Sequence, residues 1–288
     1  MRYFFLLRIH HWPKNLFLFI PAFFGGILIK WPIFFILIQG FICFCLMASA
    51  IYIINDYRDC EADRLHPIKK NRPLASRKIK GSTAIALIIF LCTISLAYGF
   101  RLSVDFGLCL IVYLVINGLY SFGLKNIAIL DTLLVSSGFL IRTLAGAWLI
   151  NIEISQWLVI MVFLLSFFLA MAKRRDDLVL FHENQVPLRA SSKKYTIEFL
   201  DTVLSLLTGV IIVSYIMYTI SEEVVNRLNT QYVYITSLFV VCGLIRFLQI
   251  AIVEKRSGSP TRIFLTDRFI QLTVMGWILS FIILIYLI

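Results

Sequence analysis

Nine apolar runs, each near the twenty residues that carry an α-helix across a bilayer, leave this chain little choice of fold. They fall at about 15–30, 33–54, 82–100, 105–123, 129–150, 155–172, 199–220, 231–252 and 267–288. Hydrocarbon offers no hydrogen bonds, so each backbone N–H and C=O in these runs needs a partner within its own segment, which a helix provides. Composition agrees, with 60% hydrophobic residues, a mean hydropathy of +0.90 and only 15% charged residues. A soluble domain of this length is excluded. The fold class expected is an all-α polytopic membrane protein with about nine transmembrane helices.

The formal net charge of +11 would suggest a nucleic-acid partner in a soluble chain, but its distribution points to a bilayer instead. With the N-terminus in the cytoplasm, 23 of the 27 Lys and Arg residues lie on the inner side. Only Lys30, Arg101 and Arg227 lie outside, and Arg142 falls within a span. The positive-inside rule therefore places the N-terminus and the loops after even-numbered spans in the cytoplasm. A multi-pass protein of a bacterial inner membrane, with no nucleic-acid partner, is expected. Five of the six cysteines sit inside apolar runs, where Cys is a small packing residue, and no zinc or disulfide spacing appears. The first run lacks the cleavage pattern of a signal peptide and reads as a retained span.

Chemistry concentrates where the second run ends, at Asn55-Asp-Tyr-Arg-Asp-Cys-Glu-Ala-Asp63. Asp56, Asp59 and Asp63 are spaced by three and four residues, so on a helix they lie along one face, with Asn55 beside them. Neighbouring carboxylates repel unless a cation sits among them. Hard oxygen ligands without His or Cys suit Mg²⁺, which commonly bridges to phosphate oxygens. The plainer reading is a solvated charged loop. Against it, the acids are followed at once by Arg64, Lys69, Lys70, Arg72, Arg77, Lys78 and Lys80, so acids for a metal stand next to bases for phosphate. Attraction to anionic lipid explains several of these bases. Arg72, held between Asn71 and Pro73, is the one singled out as a phosphate ligand, with Arg58, Arg64 and Lys69 as further candidates.

Other loops on the same face carry candidates too. In Arg8-Ile-His-His-Trp-Pro-Lys-Asn15, an interfacial anchor is the plain reading, and Lys14 and Asn15 reaching the mouth of the site is the functional one. After the fourth run, Tyr120 offers a hydroxyl, Lys125 a point charge and Asp131 an acid in a Gly-containing turn. Arg142 lies within hydrocarbon, where a charge costs at least about 2.5 to 3.5 kcal/mol. It either pairs with a buried acid such as Asp131 or Asp105, or lines a cavity and binds substrate. Lys173, Arg174 and Arg175 follow the sixth run as a stop-transfer flank or a phosphate cluster, with Asp176 and Asp177 about 100° apart on a helix and poorly placed for one metal. Glu198 and Asp201 are candidates for further metal ligands, or the start of an amphipathic helix. Asp267 and Thr266 can cap the last helix.

Asn55-Asp56-x-x-Asp59-x-x-x-Asp63 after a second span resembles the first aspartate motif of the UbiA superfamily of intramembrane prenyltransferases. The resemblance implies helices around a central cavity, a diphosphate held by the motif through Mg²⁺ near the cytoplasmic face, and an isoprenoid in a lateral groove. Members that prenylate aromatic acceptors carry a second aspartate-rich motif after the sixth span. This chain has Lys173-Arg-Arg-Asp-Asp-Leu178 there instead. With Tyr120-Ser-Phe-Gly-Leu-Lys125, Leu130-Asp131 and the string from Asp63 through His66-Pro67 to Arg72-Pro73, it looks like the decaprenyl-phosphate phosphoribosyltransferase branch, over roughly residues 8–201.

The expected activity is transfer of 5-phosphoribose from phosphoribosyl diphosphate to a polyprenyl phosphate, Mg²⁺-dependent, in cell-envelope glycolipid precursor synthesis. Two highly charged substrates need a pocket that mixes metal-binding acids with Lys125, Arg142 and the Lys173 to Arg175 cluster. Asp56, Asp59 and Asp63, assisted by Asn55, would hold the metal on the leaving diphosphate. Prenyl transfer to a small acceptor is the alternative within enzymes. A transporter is the alternative outside them, argued by Arg142 and weakened by the apolar outer halves of the spans. Residues 1–288 are expected to form a single transferase domain, capped by cytoplasmic loops near 55–81, 123–129, 173–198 and 253–267, and compatible with an oligomer.

Overall fold

The computed structural model describes residues 2–65, 69–184, 190–254 and 260–286. His66, Pro67, Lys255 and Arg256, and the side chain of Arg262, lie outside what is described. All regular structure among the described residues is helical. Among the described residues eight helices are long and apolar enough to cross a membrane: α1 (Trp31–Arg58), α2 (Gly81–Leu102), α3 (Val104–Ser121), α4 (Leu130–Leu149), α5 (Gln156–Asn184), α6 (Ile197–Ile220), α7 (Tyr232–Val253) and α8 (Arg268–Tyr286). They belong to two compact units, Met1–Ile154 with α1 to α4 and Ser155–Ile288 with α5 to α8.

The first expected span is not a long helix. Residues Ile9–Phe19 form a 3₁₀ helix, followed by the short α-helix Ile20–Phe24. Proline explains the break. In an α-helix the ring of Pro13 would collide with the carbonyl of Ile9, and that of Pro21 with the carbonyl of Phe17. Gly25 and Gly26 then end the segment, Gly26 at φ 67°. The 3₁₀ form compensates in length, since its 11 residues cover about 22 Å at 2.0 Å each. The 5 residues of the short helix add about 7 Å. Sixteen residues thus reach the roughly 30 Å of a hydrocarbon core.

This segment lies against α1 and α4. In a 3₁₀ helix residues three apart eclipse one another, so Trp12, Asn15 and Leu18 form one stripe. Trp12 Nε1 donates to Ser49 Oγ (3.1 Å) and Asn15 Nδ2 to Cys45 Sγ (3.2 Å), four residues apart on α1. On α4 the matching residues are Arg142, bonded to Asn15, and Gly146, against the Leu18 backbone. Three 3₁₀ residues and four α residues both rise about 6 Å, so the two stripes keep step. Leu18, Phe44, Phe106, Leu110 and Ala145 fill the core around this seam.

A second core of Leu6, Ala50, Ile53, Leu74, Ile79 and Leu91 pins the loop before α2. That loop is structured. Ser76 N and Oγ both donate to the Arg72 carbonyl (2.9 and 2.8 Å), and Ile79 N donates to the Pro73 carbonyl (3.2 Å).

In the second unit α5 runs on to Asn184, well past the expected end of its apolar run at 172, so Lys173 to Asp177 are helical rather than a loop. Pairs three and four apart favour that extension: Lys173 with Asp176 (2.8 Å) and Asp177 (3.4 Å), and Arg174 with Asp177 (3.1 Å). Near the start of α8, Asp267 Oδ1 accepts from Ile270 N (2.9 Å), the expected cap. Its other oxygen takes Arg246 (2.7 Å), and these hydrogen bonds hold the Asp267 carboxyl below its ordinary range.

Candidate active site

The helical ladder continues past the end of α1, with Asp59 N donating to Asn55 O (3.0 Å) and Asp63 N to Asp59 O (2.8 Å). At about 100° per residue, Asp56 and Asp63 point within about 20° of each other, while Asp59 is turned about 60° from Asp56. The side chains follow that geometry. A single nitrogen, Arg72 Nη1, sits between Asp56 Oδ1 (3.1 Å) and Asp63 Oδ2 (2.6 Å). Asp59 instead takes Lys125 Nζ on both oxygens, at 2.5 and 2.7 Å, and the same nitrogen reaches Asn55 Oδ1 at 3.3 Å. Asp56 and Asp63 are buried, at 3% and 4% exposure, so their charges need these partners.

Three backbone devices bring the cations in. Arg72 follows the 3₁₀ turn Lys69–Asn71 and is fixed by the buried Leu74, Ala75 and Ile79 just beyond it. Lys125 sits in a turn opened by Gly123, whose φ of 144° suits glycine. That turn closes at Ile129, with φ 69°, a strained conformation for a β-branched residue and worth roughly 1 to 3 kcal/mol. Ile129 O in return accepts from Thr132 N (3.1 Å), Leu133 N (2.9 Å) and Thr132 Oγ1 (2.7 Å), which seats the start of α4. Arg8, left-handed at φ 50°, begins the 3₁₀ segment and places Nη2 2.5 Å from Asp56 Oδ1, with its guanidinium 5.2 Å from the Tyr52 ring.

Deeper in the same unit lies Arg142, 5% exposed. Its Nε donates to Asn15 Oδ1 (2.7 Å), Nη1 to Gly138 O (2.6 Å) and Nη2 to Tyr113 OH (2.5 Å). All three acceptors are neutral. Of the two readings of Arg142, pairing with a buried acid such as Asp131 or Asp105 is set aside by these partners; Asp131, near the start of α4, lies eleven residues or about 16 Å away along the helix.

The profile of the UbiA prenyltransferase family matches residues 18–273. The chain belongs to this family. A decaprenyl-phosphate phosphoribosyltransferase of Mycolicibacterium smegmatis is 35% identical over 245 residues, 83% of this chain and 77% of that protein. The enzyme of the same name from Corynebacterium glutamicum is 29% identical over 250 residues, 86% and 75% of the two chains. Among solved structures, a UbiA homologue from Archaeoglobus fulgidus bound to DMAPP and Mg²⁺ superposes with a TM-score of 0.70 at 17% identity, covering 100% of both chains. The same homologue bound to GPP and Mg²⁺ gives 0.71 at 17% identity over 99% of each.

In this UbiA-family chain the fit to a divalent cation can be judged from the donor set. Asp56 and Asp63 are all-oxygen ligands already bridged by one cationic atom, which suits a hard metal. The expected convergence of three carboxylates on one point is corrected, because Asp59 is turned to Lys125. Among the described residues no group of three or more His, Cys, Asp or Glu is gathered as a metal cluster.

Several sequence candidates are placed elsewhere. Glu198 is exposed at the start of α6, and Asp201 is taken by Arg175, so the two do not form a second carboxylate pair. Arg58 is exposed, its guanidinium 5.0 Å from the Phe122 ring, and Arg64 Nε donates to Ala75 O (3.3 Å); neither touches the acids. Lys14 is exposed, Lys69 and Tyr120 are half-buried, and Asn15 is buried on Arg142. In the second unit Arg174 and Arg175 are buried on α5, and the buried Asp176 Oδ1 takes no hydrogen bond. The basic, aromatic composition of residues 8–15 suggests an interfacial anchor for Arg8, and Tyr113 stands in an apolar run with no charged neighbour to single it out. The signal was there for the first: Arg8 opens the only arginine-histidine-tryptophan cluster of the sequence.

Proposed function

We propose that this UbiA-family protein transfers 5-phosphoribose from phosphoribosyl diphosphate to a polyprenyl phosphate and releases diphosphate. The observation that carries the reading is the charge balance of the first unit: Arg8, Arg72 and Lys125 stand against Asp56, Asp59 and Asp63, and a fourth cation, Arg142, lies deeper in the same unit on neutral partners. A prenyl diphosphate with a neutral acceptor needs fewer cations; a sugar bearing two phosphate ends and a lipid phosphate needs them all. The names of the relatives from Mycolicibacterium and Corynebacterium support the same substrates.

Asp56 and Asp63, with Asp59 and Asn55 completing the set, would hold Mg²⁺ at the diphosphate. Bound there, Mg²⁺ would supply charge neutralisation to the leaving group. Arg8, Arg72 and Lys125, released from the carboxylates, turn their donors to phosphate oxygens. A phosphate oxygen of the lipid forms the bond to C1 of ribose as the C1–O bond to diphosphate breaks. No protein base is needed, since the nucleophile is already an anion. In this reading the charged loops face the cytoplasm of a bacterium, and the product is a precursor of cell-envelope glycolipids.

Prenyl transfer remains the second reading, favoured by the prenyl diphosphates named with the Archaeoglobus structures. One assay separates them. Purified protein is given labelled phosphoribosyl diphosphate and polyprenyl phosphate, with and without Mg²⁺, beside Asp56→Ala and Asp59→Ala. A labelled lipid that needs Mg²⁺ and disappears in both variants is the expected result. Transfer only from a polyprenyl diphosphate to an aromatic acid would instead establish the second reading.

A further inference from the structure

We infer that Arg142, Asn15 and Tyr113 form a second phosphate subsite in the interior of the first unit, which takes the 5-phosphate of the sugar donor. The inference rests on the phosphoribosyl reading above and assigns one substrate group to one set of side chains.

Charge is the starting point. A guanidinium stays protonated in any protein environment, and Arg142 is 5% exposed. Its partners are an amide oxygen, a backbone carbonyl and a phenol. The rings of Tyr113 and Phe139, 4.7 and 5.6 Å from the guanidinium carbon, add cation–π attraction but no countercharge. A buried cation whose hydrogen-bond partners among the described residues are all neutral is costly to keep unless an anion joins it in the working protein.

The donors point the same way. Three of the five guanidinium N–H groups are used in these bonds, so two are left. Tyr113 OH accepts from Arg142 and keeps its own hydrogen to give. Asn15, 1% exposed, spends its oxygen on Arg142 and one amide hydrogen on the weak acceptor Cys45 Sγ, leaving the second amide hydrogen. What the three side chains have left to offer is N–H and O–H, as a phosphate requires. They come from three separate pieces of backbone, the 3₁₀ segment, α3 and α4, so the constellation is built by the fold and not by one sequence string.

Depth selects the group. Asn15 touches Cys45, which lies eleven residues before Asp56 on α1, about 16 Å down the helix. The donor has phosphate at both ends. About nine covalent bonds separate its outer diphosphate phosphorus from the 5-phosphorus, about 11 Å at the roughly 1.2 Å per bond of an extended chain. Hydrogen bonds of about 2.8 Å at each end complete the span. The lipid phosphate, by contrast, must lie next to C1 to attack it, closer to the acidic rim.

The test is equilibrium binding to the full-length protein in detergent, with ribose 5-phosphate, Mg²⁺-diphosphate, phosphoribosyl diphosphate and a short-chain polyprenyl phosphate as separate probes. Arg142→Gln is expected to weaken ribose 5-phosphate at least tenfold and Tyr113→Phe about fivefold, with Mg²⁺-diphosphate affinity within twofold of the parent. Tyr113→Phe keeps the guanidinium and its bonds to Asn15 and Gly138, so it reports on the subsite even if Arg142→Gln fails to fold. Unchanged ribose 5-phosphate affinity in Tyr113→Phe and Arg142→Lys would reduce Arg142 to a brace for the 3₁₀ segment and overturn the inference. Loss of polyprenyl phosphate binding alone would hand the subsite to the lipid headgroup and overturn it as well. If the unmodified protein binds neither sugar phosphate, the phosphoribosyl reading itself fails and the inference falls with it.

Discussion

Asp56→Asn is expected to abolish transfer and to destabilise the protein, while Asp59→Asn abolishes transfer and leaves stability nearly intact. Both changes remove a carboxylate from the same motif, so the difference isolates burial. Asp56 is 3% exposed and receives Arg8 and Arg72. Neutralising it leaves the Arg8 guanidinium without a countercharge while Arg72 keeps Asp63, and breaking a buried pair from one side costs about 3 to 5 kcal/mol. The Asp59 side chain is 31% exposed and its Lys125 partner 20%, so solvent screens that pair and its loss costs about 1 kcal/mol or less. Unfolding in detergent, read alongside the labelled-lipid assay, checks both halves. Equal stability losses would mean that the buried pairing of Asp56 is not what holds the end of α1 in place.

Gly146→Ala is the second large effect, and it acts without touching a charge. A methyl at position 146 would stand 2.0 Å from the Leu18 carbonyl oxygen and 2.8 Å from its carbon, both backbone atoms that cannot rotate away. The 3₁₀ segment must then lift off α4, which breaks the Asn15 to Arg142 bond and draws Arg8 away from Asp56. Overpacking of this kind costs about 1 to 3 kcal/mol. Activity is expected to fall at least tenfold. Gly209→Ala on α6 is the control, since a methyl there meets nothing within 4 Å; stability should stay within about 0.5 kcal/mol or rise, as glycine is a poor helix former. Similar losses in the two variants would show that close approach at Gly146 is not what seats the segment.

The eight long helices could be read from the sequence because hydrocarbon imposes one solution on a long apolar run. The backbone form of the first apolar run could not, since hydropathy registers apolar side chains whatever backbone carries them; Pro13 and Pro21 held the information. The aspartate motif was legible by spacing, yet the split between Asp56 with Asp63 and Asp59 with Lys125 depends on a few tens of degrees of helical phase and on where the Gly123 to Ile129 turn delivers a lysine. Arg142 was recognised as needing company in the membrane. Its partners were not foreseen, because Asn15 and Tyr113 are ordinary residues until the fold brings three distant stretches together. Lys173 to Asp177 were read as a loop from their charge, whereas their own ion pairs extend the helix.

The matched rise of the 3₁₀ segment and its α-helical neighbours acts as a pair of gears with different tooth counts and the same pitch. Such a train tolerates a change of a whole tooth and nothing smaller. One residue inserted between Arg8 and Trp12 would leave Trp12, Asn15 and Leu18 meshed while turning Arg8 about 120° away from Asp56, at three residues per turn; three inserted residues would restore its direction and shift it by about 6 Å. Measuring transfer by the two insertion variants tests whether the N-terminal stretch is a ruler of fixed length, and activity unaffected by the single insertion would show that it is not. If it is, relatives of this protein should vary more in the side chains between the positions of Arg8 and Trp12 than in the number of residues that separates them.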